Sequence, residues 1–342
     1  MNPVPGEIVH SPDPPGRPVP RPAGHTAGVK LRKFIVPMPD WSTICGFVHL
    51  PAVDGMDLEL RQRLAAGEYV ALCPEMVVER KTWGQLRWWQ QDEARIRAVG
   101  MCTHRAVLVG RSAARVHGIP VPGRDEFVEL NLPGRNSRRP RREWPEKVVY
   151  RATRLHEGEV AVVSGLRVTT IVRTAADVAR FHGLVAGIVA FDAVLAMRNM
   201  SRGRAEHLLR TLGRVTGICT ARRALALADP RSESPLESWG RAQILEDPPP
   251  GLTTVEVQVE VLGGRYRVDL LLNSRVAVEL HGDLKYDGQT TGVDPVTQMM
   301  RDRERERLIQ NAGYSLVHAT YPDLVEGTFL GKVREALARK SR

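Results

Sequence analysis

The chain has 342 residues, of which 42% are hydrophobic, so it is long enough to form two or three domains with well-filled cores. Lys and Arg number 49 against 39 Asp and Glu, a formal net charge of +10, and this excess favours a polyanionic partner such as nucleic acid. The four cysteines, at positions 45, 73, 102 and 219, lack Cys-x-x-Cys spacing, so they indicate neither a zinc knuckle nor a disulfide framework.

The N-terminal stretch and the most apolar stretch both indicate a cytoplasmic protein with no membrane partner. Residues 1–30 are rich in Pro and Gly and have no apolar core of a signal peptide, so we expect a disordered leader. The apolar stretch 183–197 is short and is interrupted by Asp192, which favours a core helix over a membrane span. Reduced thiols fit the same compartment.

Residues 31–95 are expected to form a small α+β unit. The pattern predicts a helix over 58–64, a glycine turn and then two short strands. A helix followed by a hairpin is the order found at the end of a winged-helix domain, but a small α+β cap without DNA contacts fits equally well.

Residues 96–230 are expected to form a middle domain with strands, helices and a basic loop. "HRAVLVGRSAARVHGIPVP" predicts a helix from its beginning to Gly118 and Pro120, and "FVELNLP" and "KVVYRATRL" predict strands that flank the loop. The loop is a candidate phosphate-binding segment because of its five arginines: Arg135, Arg138, Arg139, Arg141 and Arg142. A simply solvated basic loop is the alternative.

Residues 231–342 predict the order helix, three strands, helix, strand, helix. The first helix begins with Ser234 as its N-cap, Pro235 at its first position and Glu237 in its first turn. The later helix, in "QMMRDRERERLIQNAGY", predicts Met300, Leu308 and Ile309 on its buried face, whereas the charges over 302–307 predict a solvated, ion-paired face.

Two carboxylates, Asp269 and Glu279, stand within the apolar arms of the hairpin in "RYRVDLLLNSRVAVELHGDLKYDG". A three-residue turn over 273–275 pairs them directly on one face, whereas a two-residue turn places them on opposite faces. Directly opposed like charges are destabilising without a counter-ion, and Mg²⁺ or Mn²⁺ with oxygen ligands would remove the repulsion. Pairing with Arg267 or Arg275 on a solvent-facing sheet is the alternative.

Three further residues complete the candidate site. Glu237 would add a third carboxylate, although at a helix N-terminus it also favours the helix dipole. His281 follows Glu279 by two residues and therefore shares its face, and Lys285 follows where the strand should end. A packing histidine and a surface lysine are the alternatives. With a bound cation, the set suits metal-assisted hydrolysis of a phosphodiester.

These residues resemble a known nuclease core. Glu237, Asp269 and Glu279-Leu280-His281 resemble the PD-(D/E)xK superfamily, and the segment from the hairpin to "GYSLVHATYPDL" resembles Vsr-like, restriction-endonuclease-type domains of actinobacterial proteins. The resemblance implies a three-layer α/β core, metal binding by Asp269, Glu279 and the Leu280 carbonyl, and catalysis assisted by Glu237, His281 and Lys285. His281 departs from the family's usual Asp, and the Lys of the Glu-x-Lys triplet is absent.

Upstream segments resemble a second family. "GRSAARVHGIP", "VTTIVRTAADVAR" and "SPLES" are similar to the type IV abortive-infection antitoxin AbiEi. We therefore predict a multi-domain α/β protein, associated with DNA and carrying a Mg²⁺-dependent endonuclease-like domain, in phage defence or DNA repair. The alternative is a non-enzymatic, AbiEi-like antitoxin or transcriptional regulator with a degenerate nuclease core and a cognate toxin as partner. A mismatch-nicking repair enzyme is a third class.

Overall fold

The described part of the chain has a mixed α/β fold, with three separate sheets. The computed structural model describes residues 46–52, 57–124, 127–133, 140–282 and 295–339, without the side chains of 295–299 and 301–302. The predicted leader, Lys285 and three of the loop arginines, Arg135, Arg138 and Arg139, lie outside the described residues. One sheet lies in each of the three predicted units that follow the leader, which confirms the multi-domain α/β class at this coarse level.

The N-terminal unit has a helix followed by a hairpin, as predicted. Its elements are β1 (Val48–His49), α1 (Leu58–Ala65), β2 (Tyr69–Cys73), β3 (Met76–Glu79), α2 (Arg80–Gln85) and α3 (Trp88–Met101). The strands form an antiparallel sheet in the order β1-β3-β2. Its small core contains Leu72, Met76 and Val78 from the hairpin and Ala94 and Ala98 from α3. Helix α3 runs across the predicted boundary between residues 95 and 96.

The middle unit has a five-stranded sheet in the order β6-β5-β4-β8-β7 and a group of helices. Its elements are β4 (Val107–Leu108), α4 (Gly110–Val116), β5 (Val128–Asn131), β6 (Val148–Tyr150), β7 (Val160–Val163), β8 (Leu166–Thr169), α5 (Ile171–Leu195), α6 (Arg202–Thr211) and α7 (Ile218–Leu227).

The prediction that a helix begins upstream of Val107 is wrong. Val107 and Leu108 form the central strand β4, which pairs with both β5 and β8, and the helix begins only at Gly110. Both strand residues are fully buried. Pairing with a strand on each side of β4 satisfies the hydrogen-bonding groups of its buried backbone. This outweighs the helical pattern of the flanking sequence.

The long helix α5 is the apolar segment that contains Asp192. By length and composition it could cross a membrane, but 72% of its most apolar window is buried within the protein, as in the core helix of a soluble protein. Asp192 is fully buried, and both of its carboxylate oxygens accept hydrogen bonds of 2.8 Å from Arg241. Burial raises the pKa of Asp192 to about 6, against the opposing effect of Arg241.

The C-terminal unit follows the predicted order, with its closing helix divided in two at Gly327. Its elements are α8 (Pro235–Glu246), β9 (Val255–Val261), β10 (Tyr266–Leu272), β11 (Val276–His281), α9 (Pro295–Asn311), β12 (Ser315–Thr320), α10 (Tyr321–Glu326) and α11 (Phe329–Ala338). The sheet order is β12-β11-β10-β9, with β12 parallel to β11.

Helices cover both faces of this C-terminal sheet. Ile244 of α8 and Phe329 of α11 pack on one face, and Ile309 of α9 packs on the other. The prediction that Met300 is buried is wrong, because its side chain is 67% exposed. Met300 and Ile309 are separated by about two and a half helical turns and therefore point in opposite directions.

Candidate functional site

The hairpin of the C-terminal sheet has a three-residue turn, which is the predicted turn length that would pair the two carboxylates. Leu272 pairs with Val276, and Leu270 pairs with Val278. The paired residues end there; continued by one step, the same register would bring Asp269 opposite Glu279. Asn273 and Ser274 have φ values of 50° and 51°, the left-handed conformation that closes the turn.

Asp269 lies at a bend of the sheet. Val257 and Leu270 pack on the α8 face, whereas Val259 and Val268 pack on the α9 face. In a regular strand, residues two apart point to the same face of the sheet. Here Val257 and Val259 point to opposite faces, as do Val268 and Leu270, so both strands bend between these residues, where Gln258 has a φ of 56°. At this bend the Leu280 N–H donates to an Asp269 oxygen at 2.8 Å. The side chain of Asp269 is thereby fixed against the backbone of the residue that follows Glu279.

Glu237 reaches the same bend from the first turn of α8. The N-cap Ser234 accepts a hydrogen bond from the Glu237 N–H at 3.2 Å, which begins the helix as predicted. The Gln258 side-chain amide donates to Glu237 at 2.7 Å and to Asp269 at 3.5 Å, so it links the two carboxylates. Burial, and next the charge of Asp269, raise the pKa of Glu237.

Glu279 is buried, at 4% exposed, and it forms an ion pair with Arg305. Arg305 donates to a Glu279 oxygen at 2.5 Å and to the Arg267 carbonyl at 2.7 Å. Arg267 itself pairs with Glu233 at 2.8 Å, and Arg275 donates to two carbonyls at the end of α11. The sequence analysis placed Arg305 on a solvated face. Its spacing of four residues from the buried Ile309 was the signal that could have found it.

His281 belongs to a chain of polar side chains beside Glu279. Its Nε2 lies 2.9 Å from Nδ1 of His318, and the two rings are stacked at 5.1 Å. His318 is the parallel register partner of Glu279, and its Nε2 lies 3.4 Å from Glu306 of α9. The chain His281–His318–Glu306 therefore connects the strand ends to the surface of α9. The sequence analysis missed His318, although the alternation in "SLVHAT" places it opposite the buried Val317 and Ala319.

The described part of the basic loop borders a second polar region, in the middle unit. Arg141 and Arg142 lie in a short 3-10 helix and are exposed. Arg141 lines a cavity of about 480 Å³ whose other cationic side chains are Arg111, Arg124, Lys147 and Arg151. Acidic Glu129 and Glu146 also line the cavity, but the Arg and Lys side chains outnumber them, so the net charge of the lining is positive.

Glu129 is the buried anchor of this basic cavity. Its carboxylate accepts from the Arg111 N–H at 2.7 Å and from Arg151 at 2.6 Å, and it lies 3.0 Å from His182 Nε2. Burial alone would raise its pKa, but His182, Arg151 and the Arg111 N–H together lower the pKa of Glu129. A Cβ at Gly110 would collide with the carboxylate, so glycine is required there.

Fold and site together describe a multi-domain α/β protein with a carboxylate cluster at a bend of its C-terminal sheet. No family model matches the sequence. The chain is 29% identical over 166 residues to uncharacterized proteins of two Mycobacterium tuberculosis strains, CDC 1551 and H37Rv. The match covers 47% of this chain and 58% of each relative, so the chain spans less than two thirds of the relatives' length. The names of these relatives state no activity.

Proposed function

We propose that residues 231–342 form a restriction-endonuclease-like domain that hydrolyses phosphodiesters in DNA with Mg²⁺ or Mn²⁺. The observation that carries the proposal is the convergence of Glu237 and Asp269 on Gln258, with Asp269 held on the Leu280 N–H next to Glu279. Three carboxylates from a helix and two adjacent strands are a hard-oxygen donor set. Burial first, and then the charge of Asp269, raise the pKa of Glu237, and a divalent cation would offset the repulsion between these two carboxylates.

The residues that would hold the cation are Asp269, Glu279 and the carbonyl of Leu280. When bound, the cation would polarise a phosphoryl oxygen and lower the pKa of a water molecule. Glu237 supports the site from α8, and its raised pKa favours a role in proton transfer. Arg305 then supplies the positive charge that the missing Lys of the Glu-x-Lys triplet would give, because it lies against Glu279.

His281 is proposed as the residue that orients the attacking water. Its ring is held by His318, whose other nitrogen faces Glu306. A proton taken up by His281 has a path along this chain toward the protein surface. Lys285 lies outside the described residues, and its role in assisting at the phosphate stays part of the proposal.

DNA binding is proposed for the basic regions outside the C-terminal unit. The chain carries a net charge of +10, and Arg141 joins four other cations around the cavity of the middle unit. Arg135, Arg138, Arg139 and Arg142 extend the same basic segment in the sequence. With the proposed nuclease activity, DNA binding would suit a cytoplasmic role in phage defence or DNA repair.

The test is cleavage of single- and double-stranded DNA by the full chain with Mg²⁺, with Mn²⁺ and with EDTA. We expect metal-dependent nicking that is lost in Asp269→Asn and Glu279→Gln. The matched control is Glu304→Gln, which removes an exposed carboxylate of α9 that pairs with Arg307 on the next helical turn. A purified wild-type chain that stays inert with both metals would overturn the enzymatic proposal.

The second candidate function is a metal-independent, AbiEi-like antitoxin or regulator with a degenerate nuclease core. The observation that favours it is the Arg305–Glu279 pair, since an arginine that neutralises this carboxylate lets the fold persist without a cation. The regulator would bind the DNA upstream of its own gene and a cognate toxin. A gel shift that is unchanged by EDTA and by Asp269→Asn, without any cleavage, would favour it over the nuclease.

A further inference from the structure

Four side chains typical of zinc ligands meet in the N-terminal unit, far from the carboxylate cluster in the sequence. His49 belongs to β1, Cys73 ends β2, Glu75 lies in the turn before β3, and Cys102 follows α3. The ligand atoms of His49, Glu75 and Cys102 all lie within 4.8 Å of one another. Cys73 is outside this group of three but adjoins it through Cys102, with the two Sγ atoms 3.4 Å apart; within the group, His49 Nε2 lies 3.7 Å from Glu75 Oε2.

Two of these separations are close to those between ligands of one tetrahedral zinc ion. Zinc holds sulfur at about 2.3 Å and nitrogen or oxygen at about 2.0–2.2 Å, so two sulfur ligands lie about 3.8 Å apart and a nitrogen and an oxygen ligand about 3.3–3.6 Å apart. The nitrogen–oxygen distance is near its expected value, and the two sulfurs would separate by about 0.4 Å to hold the ion. Thiolate, imidazole and carboxylate together select Zn²⁺ over Mg²⁺, which prefers oxygen ligands alone.

The backbone directs Cys73 toward this cluster. The β2–β3 ladder shifts register between Ala71 and Cys73, so Cys73 pairs with Met76 after Ala71 pairs with Val77. A bulge of this kind re-aims the side chain that follows it. The β1–β3 ladder brings His49 opposite Met76 on the other edge of β3, and Cys73 and Cys102 both pack against the core that α3 forms with the hairpin.

We propose that His49, Cys73, Glu75 and Cys102 form a structural site for Zn²⁺ or a similar thiophilic divalent cation, separate from the proposed Mg²⁺ site. Such a site would join β1, the β2–β3 hairpin and the end of α3. Strand β1 has only two paired residues, and the core of this unit is small. A metal that cross-links these elements is the kind of support that small units need.

The experiment measures the metal content of the full chain, purified under reducing conditions without chelators, by inductively coupled plasma mass spectrometry. We expect about one Zn²⁺ per chain, as for a closed structural site, and loss of the metal in Cys73→Ser and Cys102→Ser. Cys219→Ser is the matched control, because Cys219 is exposed in α7. Cobalt substitution should give a thiolate-to-cobalt charge-transfer band in wild type and Cys219→Ser only.

Two milder variants keep the test informative if the cysteine variants fail to fold. His49→Ala and Glu75→Gln change half-exposed side chains, and each should weaken Zn²⁺ binding by more than about tenfold, since even outer-shell partners contribute that much. Asp269→Asn should leave the Zn²⁺ content unchanged, which separates this site from the proposed nuclease. A metal-free native chain, a Cys73–Cys102 disulfide in its place, or full Zn²⁺ retention in both cysteine variants would overturn the proposal.

Discussion

The repulsion between Glu237 and Asp269 gives a quantitative prediction for the Asp269→Asn variant. Gln258 Nε2 lies 2.7 Å from a Glu237 oxygen and 3.5 Å from an Asp269 oxygen, so the two oxygens are separated by no more than the sum of these distances. Two unit charges about 6 Å apart in an effective dielectric constant of about 20 repel by about 3 kcal/mol. Asparagine keeps an oxygen that can accept from the Leu280 N–H but removes this charge.

The expected result is a more stable protein in the absence of divalent cations. Asp269 is partly exposed, so solvent reduces the repulsion, and we expect the free energy of unfolding to rise by about 1–3 kcal/mol in EDTA. That corresponds to a rise in Tm of at least about 2 °C. Added Mg²⁺ should raise the Tm of wild type but not that of Asp269→Asn, because the cation loses a ligand.

Differential scanning calorimetry in EDTA and in Mg²⁺ checks both parts, with Glu304→Gln as the control for removing an exposed carboxylate. The reasoning fails if Asp269→Asn is less stable than wild type in EDTA and gains as much from Mg²⁺ as wild type does. In that case the charge at Asp269 stabilises the fold directly, and no repulsion exists for a cation to relieve.

The pH dependence of stability tests the same electrostatics through Glu237. Its folded pKa is raised, so the folded state binds the proton more tightly than the unfolded state does. The stabilising contribution is complete below the unfolded pKa and is lost as pH rises through the folded pKa. Glu237→Gln should abolish this part of the pH profile in EDTA, as measured by urea unfolding at several pH values, whereas an unchanged profile would contradict the assignment.

Three further changes test the described contacts. Arg305→Gln should strengthen Mg²⁺ binding measured by calorimetry, because Arg305 competes with a cation for Glu279; weaker binding would mean that Arg305 supports the metal site. Arg241→Met should lower the free energy of unfolding by about 3–5 kcal/mol in urea titrations, because it leaves Asp192 buried and unpaired; a neutral effect would contradict this. Arg124→Gln should reduce the salt dependence of DNA binding by about one unit of logarithmic slope if the basic cavity contacts phosphate.

The sequence by itself determined the local elements of the C-terminal unit. Periodicity and the N-cap Ser234 were enough to predict the helices and strands, because these signals act within a few residues. The sequence left two turn lengths open for the hairpin, and the structure has the three-residue turn.

The tertiary structure alone decided which groups balance the buried charges. Arg305 and His318 come from elements that follow the hairpin in the chain, and Gln258 reaches Asp269 only because β9 and β10 bend together. Cys73 and Cys102 are likewise brought together by a bulge and a packed helix. Local sequence encodes backbone preference over a turn or two, whereas electrostatic partners and metal ligands depend on how distant elements pack, which no spacing between nearby residues records.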